Sequence, residues 1–211
     1  MDNLSQNATP AASMRKRRKE DDAAAADTAA DTAASLPDPR CLAAVEDFHR
    51  MVKSPLVATP ALPDRARQEL RLSLLAEELQ ELRDALRTGD LVEAADALAD
   101  LQYVLSGTVL ELGMGGCFKD LFDEVHRSNM TKRCPSADDA AKTVAHYLAR
   151  DGTVAHAEAD PAVPGSFLVY RTSDHKALKS VNFSEPALAG VLVAAGADEA
   201  ACAGPTRPDA A

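Results

Sequence analysis

The chain has few aromatic residues, fewer basic than acidic residues, and no long apolar run. Tryptophan is absent, and aromatic residues make up only 4% of the 211 residues. Lys and Arg together number 23 against 33 Asp and Glu, so the formal net charge is −10 at pH 7. Nucleic acids and anionic membranes are bound through excess positive charge, and this balance argues against both as partners. We therefore expect a small-molecule ligand, with a metal between the acids and the phosphates of that ligand.

Membrane spans and disulfide frameworks are also not indicated. The most apolar stretch, from Leu101 to Leu112, is much shorter than the roughly 20 residues of a membrane-spanning helix. The four cysteines are far apart in the sequence and form no C-x-x-C pair: Cys41, Cys117, Cys134 and Cys202. Such spacing suits a reducing compartment, and we assign these residues no chemistry.

The N-terminal segment lacks the apolar stretch of a secretory signal. The basic run Arg15–Lys19 is followed by acids and alanines, and residues 1–38 are low in sequence complexity. A segment of this composition cannot supply a core, so we expect a disordered tail. The protein is expected to be soluble and intracellular, most simply cytoplasmic, with nuclear import as an alternative interpretation of the basic run.

Apolar residues recur at helical spacing through much of the remaining chain. Gly89 is a suitable residue to end one long helix, and Asp90 is the natural N-cap of the next. Helices are predicted over residues 41–51, 64–88, 91–113 and from about 119. Helices joined by short loops predict an all-α fold that resembles an antiparallel four-helix bundle.

The composition divides the chain into three regions. Residues 1–38 are the predicted tail, 39–190 the helical domain and 191–211 a frayed C-terminal tail. Within the domain, residues 133–168 are rich in proline and glycine around one helical patch, 138–149. We interpret 133–168 as an excursion from the helical domain.

Two acidic clusters lie on the two long predicted helices. On a helical wheel, Glu77 and Glu81 lie opposite the leucine stripe, and Glu78 lies at its edge, nearest the core. A solvated face is the alternative, but Glu77 and Glu81 repel each other by roughly 0.2–0.5 kcal/mol, and no lysine offsets them. Carboxylate oxygens gathered from two helices are hard ligands for a divalent cation such as Mg²⁺. The members of the two clusters are Glu77, Glu78, Glu81, Glu93, Asp96 and Asp100.

The second cluster carries the stronger signal, because its acids share a narrow arc that becomes apolar within a turn. The arc continues toward the C-terminus with Val104, Gly107 and Leu110. A helix that is apolar on both sides is buried, and an unpaired carboxylate there needs a metal, a basic partner or a proton. Among these we favour the metal.

Two residues have alternative explanations. Glu93 lies three positions after Asp90, where a capping-box glutamate bonds the N-cap amide. Glu46 and His49 have the E-x-x-H spacing of two-iron carboxylate bundles, but that architecture needs the pair twice and the chain has it once. We therefore place His49 on the substrate side or the surface and do not propose iron.

Taken together, these segments resemble the all-α nucleoside triphosphate pyrophosphohydrolases of the MazG type, which share E-E-x-x-E followed by E-x-x-D. Downstream, the sequence E-V-H-R-S-N-M-T-K at 124–132 is similar to a phage and bacterial branch of that family. A final segment, 170–186, also fits that branch. The resemblance covers roughly residues 42–132 and 169–188, so the excursion and both tails fall outside it.

The resemblance implies roles for particular residues. It implies Mg²⁺, with Mn²⁺ as a possible substitute, and as its ligands Glu78, Glu81, Asp96 and Asp100, with Glu77 and Glu93 as further candidates. Either Glu77 or Glu81 would be the catalytic base. Phosphate contacts would come from Lys132, Lys179 and Lys176, since an acidic site that accepts polyphosphate needs facing positive charge. Ribose or base contacts would come from Asn129, Asn182 and His49.

The expected activity is cleavage of a (deoxy)nucleoside triphosphate between its α and β phosphates, for control or sanitising of nucleotide pools. Two wide leucine stripes predict a homodimer or a dimer of dimers, as the resemblance also implies. One alternative is a pyrophosphohydrolase acting on a substrate such as phosphoribosyl-ATP. Another is a non-catalytic helical module that senses nucleotides or binds a protein, although such a module is expected to lose its metal ligands.

Overall fold

The computed structural model describes residues 39–203, and this part of the chain is predominantly helical. Its helices are α1 (Cys41–Val52), α2 (Arg65–Thr88), α3 (Leu91–Glu111), α4 (Phe118–Met130), α5 (Ala137–Asp151), α6 (Leu188–Ala194) and α7 (Glu199–Cys202). Two strands, β1 (Ala155–Ala159) and β2 (Phe167–Arg171), form an antiparallel β-hairpin. The predicted all-α class is confirmed, with the β-hairpin as a small addition. The predicted tail 1–38, including Arg15–Lys19, lies outside the described residues.

Capping residues set the boundaries of the two long helices. Asp64 precedes α2, and its carboxylate accepts a hydrogen bond from the Arg67 amide at 2.9 Å. Gly89 ends α2 with φ of 75°, a conformation that glycine adopts without a steric penalty. The Asp90 carboxylate then accepts from the amides of Val92 and Glu93 at 3.0 and 3.1 Å. The predicted start and end of α2 and the predicted N-cap of α3 are confirmed. We call the α2–α3 pair the helical hairpin.

Helix α3 packs against both α1 and α2. The buried apolar side chains of this region are Val45, Ala85, Ala94, Ala97, Val109 and Leu110. Helix α4 packs on α6 and makes no comparable contact with the helical hairpin within residues 39–203. The four-helix arrangement therefore stays a prediction, because one chain brings together only three of its helices.

A buried ion network lies at the end of the helical hairpin remote from the α2–α3 turn. Glu111, only 1% exposed, accepts hydrogen bonds from Arg67 Nε at 3.0 Å and from Arg71 Nη1 at 3.5 Å. Arg71 also donates to Thr108 Oγ1 at 3.1 Å and to the Val104 carbonyl oxygen at 2.5 Å. Burial lowers the pKa of Arg71, and the charge of Glu111 opposes that change. The network fixes the register of α2 against α3. Removal of Glu111 leaves Arg71 buried without an ionic partner, whereas removal of Arg71 leaves Glu111 paired with Arg67.

A second core lies between α5 and the β-hairpin. Its buried members are Cys134, Ala140, Tyr147, Val169 and Leu178. The Tyr147 hydroxyl accepts a hydrogen bond from the Lys179 amide at 3.1 Å, so the chain after the hairpin is tied to α5. We call α5, the β-hairpin and the residues up to 181 the C-terminal unit. It contains most of the predicted excursion and the beginning of the second stretch of sequence that resembles the family.

The β-hairpin was not predicted. The sequence indicated only the helical patch 138–149, which the structure extends to α5. β1 reads Ala-His-Ala-Glu-Ala and has little strand propensity of its own. It pairs with β2 from Ala155 opposite Arg171 to Ala159 opposite Phe167. The strand thus depends on its partner and on α5, which a local pattern does not reveal.

Both long helices leave apolar side chains exposed. Leu86 is 67% exposed and Leu91 is 83% exposed. Exposed apolar surface of this kind is typical of interaction sites. Within residues 39–203, no helix is both long enough and apolar enough to span a membrane.

Candidate active site

The two acidic clusters face each other across the middle of the helical hairpin. Because α2 and α3 run in opposite directions from the turn at Gly89, the E-E-x-x-E segment meets the E-x-x-D-x-x-x-D segment. The charges of Glu81, Asp100, Glu77 and Asp96 all raise the pKa of Glu78, which means that these four residues lie near it. Five of the six predicted ligands therefore lie together, and Glu78 is the residue on which they converge.

Glu78 is the most unusual carboxylate of the group. Its Oε2 atom is buried and has no hydrogen-bond partner. Burial raises the pKa of Glu78, and the charges of Glu81, Asp100, Glu77 and Asp96 raise it further. A buried oxygen that lacks a donor is costly, and native structures rarely keep one without a reason. The wheel placed Glu78 nearest the core, and the structure places it there.

The surrounding carboxylates lack basic partners. Among the described residues, no ion pair or hydrogen bond engages the carboxylates of Glu77, Glu81, Asp96 or Asp100. Asp84, one turn beyond Glu81, differs because Gln80 donates to it at 2.9 Å and Arg87 at 3.1 Å. These hydrogen bonds lower the pKa of Asp84. On α2, therefore, Asp84 outside the cluster has hydrogen-bond partners, whereas Glu77 and Glu81 inside the cluster have none among the described residues.

Glu93 lies on a cleft beside the cluster. The cleft has a volume of about 370 Å³, and Glu81, Asp84 and Asp90 also line it. The capping-box alternative for Glu93 is not supported, because the Asp90 amide donates to the Ala85 carbonyl oxygen at 3.0 Å. Glu93 is therefore available to a ligand in the cleft, next to Glu81.

The donor set fits a hard divalent cation. It consists of carboxylate oxygens alone, and one of these oxygens is buried without a partner. In the described part of the chain, no three of these carboxylates bring their oxygens within 4.8 Å of one another. Like charges gathered in one place repel each other, and a bound cation would offset that repulsion.

The predicted phosphate and base contacts belong to another part of the fold. Asn129 and Lys132 lie at the end of α4, and the Ser128 hydroxyl of that helix donates to the Ser184 carbonyl oxygen at 2.8 Å. Lys179 Nζ contacts Glu185 at 2.7 Å and lies 4.4 Å from the centre of the Phe183 ring. The remaining two are Asn182, which bonds Asp139, and Lys176, in the turn after β2.

The lysines and the acids remain separate within one chain. None of Lys132, Lys176 and Lys179 forms an ion pair with a carboxylate of α2 or α3 in the described residues. Their roles as phosphate contacts stay predictions. The acidic ligands lie together in the structure, and the basic candidates lie in a different part of it.

His49 is a buried packing residue. It is 4% exposed, and its Nδ1 lies 3.1 Å from the Pro55 carbonyl oxygen. A Cβ atom on Gly107 would lie 2.8 Å from His49 Nε2, so glycine is needed where α1 crosses α3. Glu46, the other half of the E-x-x-H pair, is bonded to Arg50. The substrate role of His49 stays a prediction, and its burial favours a packing role.

One group near the basic candidates was not singled out from the sequence. His146 and Arg150 of α5 line a cleft of about 310 Å³ with Lys179 and Phe183. The i,i+4 spacing of His146 and Arg150 is the only local signal for it. The cleft joins α5 to a segment about thirty residues later, so only the tertiary structure assembles it.

One comparison with known proteins gives a match, and it covers both acidic clusters. Residues 45–129 match the family model described as phosphoribosyl-ATP pyrophosphohydrolase. The match covers less than half of the chain, includes both acidic clusters and ends within α4, before the C-terminal unit. It bears out the resemblance drawn from the sequence, while the phage and bacterial branch stays a prediction. No curated protein is found to match the chain.

Proposed function

We propose that this chain, whose residues 45–129 match the family model described as phosphoribosyl-ATP pyrophosphohydrolase, is a Mg²⁺-dependent nucleoside triphosphate pyrophosphohydrolase. The match indicates the coarser activity, hydrolysis of a pyrophosphate bond in a nucleotide. The proposed reaction splits the bond between the α and β phosphates and yields a monophosphate and pyrophosphate. The observation that carries the proposal is the set of unpaired carboxylates around Glu78, whose buried Oε2 has no partner.

Each carboxylate has a role that follows from its position. Glu78, Glu81, Asp96 and Asp100 hold the cation, with Glu77 and Glu93 as further ligands. When bound, Mg²⁺ neutralises charge on the phosphates and makes a coordinated water more acidic. Glu77 or Glu81 orients the attacking water and takes up its proton, because both are exposed and neither is neutralised by a base.

The substrate phosphates need positive charge opposite the acids. Lys132 is suited to this role, since no carboxylate pairs with it in residues 39–203. Lys179 can take the same role if a substrate phosphate replaces Glu185 as its ionic partner. Lys176 lies three residues earlier in the sequence. Asn129 and Asn182 then contact the ribose or the base. In the cell, such an enzyme would control or sanitise a nucleotide pool.

A homodimer, or a dimer of dimers, is the proposed assembly. The exposed leucines of α2 and α3 support it, because a second copy of the same surface would remove them from water. Helix α4 leaves that surface free within its own chain, so a partner's helices can complete the four-helix arrangement. Light scattering coupled to size-exclusion chromatography measures this directly.

The decisive experiment is pyrophosphate release from a panel of standard and damaged (deoxy)nucleoside triphosphates, in Mg²⁺ and in EDTA. Mg²⁺-dependent release of equal amounts of monophosphate and pyrophosphate is the expected result. Release that persists in EDTA would contradict the metal role, and release of orthophosphate would contradict the position of cleavage. Mn²⁺ in place of Mg²⁺ tests whether the site accepts a substitute.

Phosphoribosyl-ATP is the second candidate substrate, and the description of the matching family favours it. It belongs in the same panel, because both substrates present a pyrophosphate bond to the same acids. Turnover of phosphoribosyl-ATP alone would replace the proposed substrate and keep the site. If the folded protein cleaves nothing in the panel, the non-catalytic nucleotide-sensing module becomes the better explanation.

A further inference from the structure

We propose that His156, Glu158 and His175 form a transition-metal site on the β-hairpin, separate from the acidic cluster. Each side chain offers one ligand atom, and the three atoms lie within 4.8 Å of one another. Within residues 39–203 this is the one such group. Two imidazoles and one carboxylate are a ligand set for zinc and its neighbours, whereas Mg²⁺ prefers oxygen alone.

Strand geometry places two of the ligands on one face. His156 and Glu158 are two residues apart on β1, and side chains at that spacing point to the same side of a sheet. Ala157 lies between them and pairs with Val169, which is buried in the second core. The two ligands therefore face away from that core. Their side chains are 43% and 51% exposed, so an ion can enter and keep water in its open positions.

The ring of His156 is oriented by a neighbour. Its Nδ1 lies 3.3 Å from Thr172 Oγ1, and its Nε2 lies 3.0 Å from Glu158 Oε1. In the tautomer in which Nδ1–H donates a hydrogen bond to this hydroxyl, the Nε2 lone pair points toward Glu158, where the ion would bind. Metal-binding histidines are commonly fixed by a hydrogen bond at the second ring nitrogen in this way.

The third ligand is held in an uncommon backbone conformation. His175 has φ of 57°, in the left-handed region that few residues other than glycine adopt. Its amide donates to the Arg171 carbonyl oxygen at 2.9 Å, and Arg171 Nε donates to Asp174 Oδ1 at 2.8 Å. Its ring is stacked on Tyr170 at 4.1 Å. The turn thus presents the imidazole to the β1 ligands before any ion binds, and an ion would join β1 to this turn.

Titration of the full-length chain with Co²⁺ in excess Mg²⁺ tests the proposal, because Mg²⁺ occupies oxygen sites and Co²⁺ bound to imidazole has a visible spectrum. One Co²⁺ per chain is expected, and Zn²⁺ is expected to displace it. His156→Phe and His175→Asn should each weaken binding at least tenfold. Phenylalanine keeps the aromatic character of the strand position, and asparagine tolerates the left-handed backbone. His126→Asn, a change to an exposed histidine of α4, is the matched control and should leave binding unchanged.

Two further measurements distinguish a specific metal site from nonspecific metal binding. Thr172→Val removes only the hydrogen bond to the His156 ring and should weaken Co²⁺ binding by about 10–100-fold. Zn²⁺ should slow amide exchange in residues 172–176 of the wild type and not of His156→Phe. The proposal is overturned if the variants bind Co²⁺ as the wild type does, or if His126→Asn is as damaging as they are. These results do not depend on pyrophosphohydrolase activity, so failure here leaves the proposed function intact.

Discussion

The helical hairpin leaves Leu86 and Leu91 largely exposed, whereas the C-terminal unit encloses Val169 and Leu178 in a core of its own. The helical hairpin also gathers unpaired carboxylates, while the C-terminal unit pairs its acids, as Arg171 does with Asp174. One region is thus incomplete both in charge and in apolar burial. The other pairs its acids within the chain, although apolar side chains such as Leu148 stay exposed there. The proposed ligand and the proposed second chain would therefore both act on the helical hairpin.

The largest expected effect is on turnover. Glu78→Gln keeps the shape of the side chain but removes the charge at the centre of the acidic cluster, so the rate of pyrophosphate release should fall at least about 100-fold. Asp96→Asn should act in the same direction. Asp84→Asn is the matched control, because Gln80 and Arg87 already neutralise that residue. Equal activity of Glu78→Gln and Asp84→Asn would remove the acidic cluster from the mechanism.

The next effect is on stability. Glu111→Ala leaves Arg71 buried without its partner and should lower the free energy of unfolding by about 3–5 kcal/mol. In the C-terminal unit, Val169→Ala should cost about 2 kcal/mol. Hydrogen exchange distinguishes the regions: Glu111→Ala should speed exchange in α2 and α3 and leave β2 protected. Faster exchange throughout both regions would mean that they unfold as one unit.

The oligomer is expected to depend on the helical hairpin alone. Leu98→Asp places a charge on the exposed stripe of α3, and we expect it to convert the proposed dimer to a monomer in light scattering. Leu148→Asp, in α5, is the control. The two leucines are similarly exposed, at 54% and 58%, so only their location differs. Dissociation by Leu148→Asp and not by Leu98→Asp would move the interface to the C-terminal unit.

The smallest effect is a pH dependence in the absence of divalent cations. The folded-state pKa of Glu78 lies above the usual value of 4.5, so the folded protein holds its proton more tightly than the unfolded chain. Stability should therefore fall as pH rises from the unfolded pKa through the folded one, and should stay lower at neutral pH. The Glu78→Gln variant has no ionisable group at this position, so its stability should not fall with rising pH for this reason. Melting temperatures of both proteins in EDTA, from about pH 4 to pH 8, should coincide at the acidic end and diverge above it. A constant difference across that range would contradict the assignment.

Local signals were sufficient for the helices that carry the acids. Asp64, Gly89 and Asp90 cap α2 and α3 through their own side chain or backbone, so the boundaries could be predicted. The 3.6-residue repeat likewise placed Glu78 beside the core. The buried ion network could not be predicted in the same way, because Arg71 and Glu111 are 40 residues apart and each looks like an ordinary surface charge.

The sequence by itself determined the all-α class, the two acidic clusters and the match of residues 45–129 to a family model, because each depends on recurring local patterns of residues. The tertiary structure decided that Glu111 is buried against Arg71, that β1 is a strand, and that His156 meets His175. Those properties depend on contacts between distant segments, where packing and desolvation outweigh local preference.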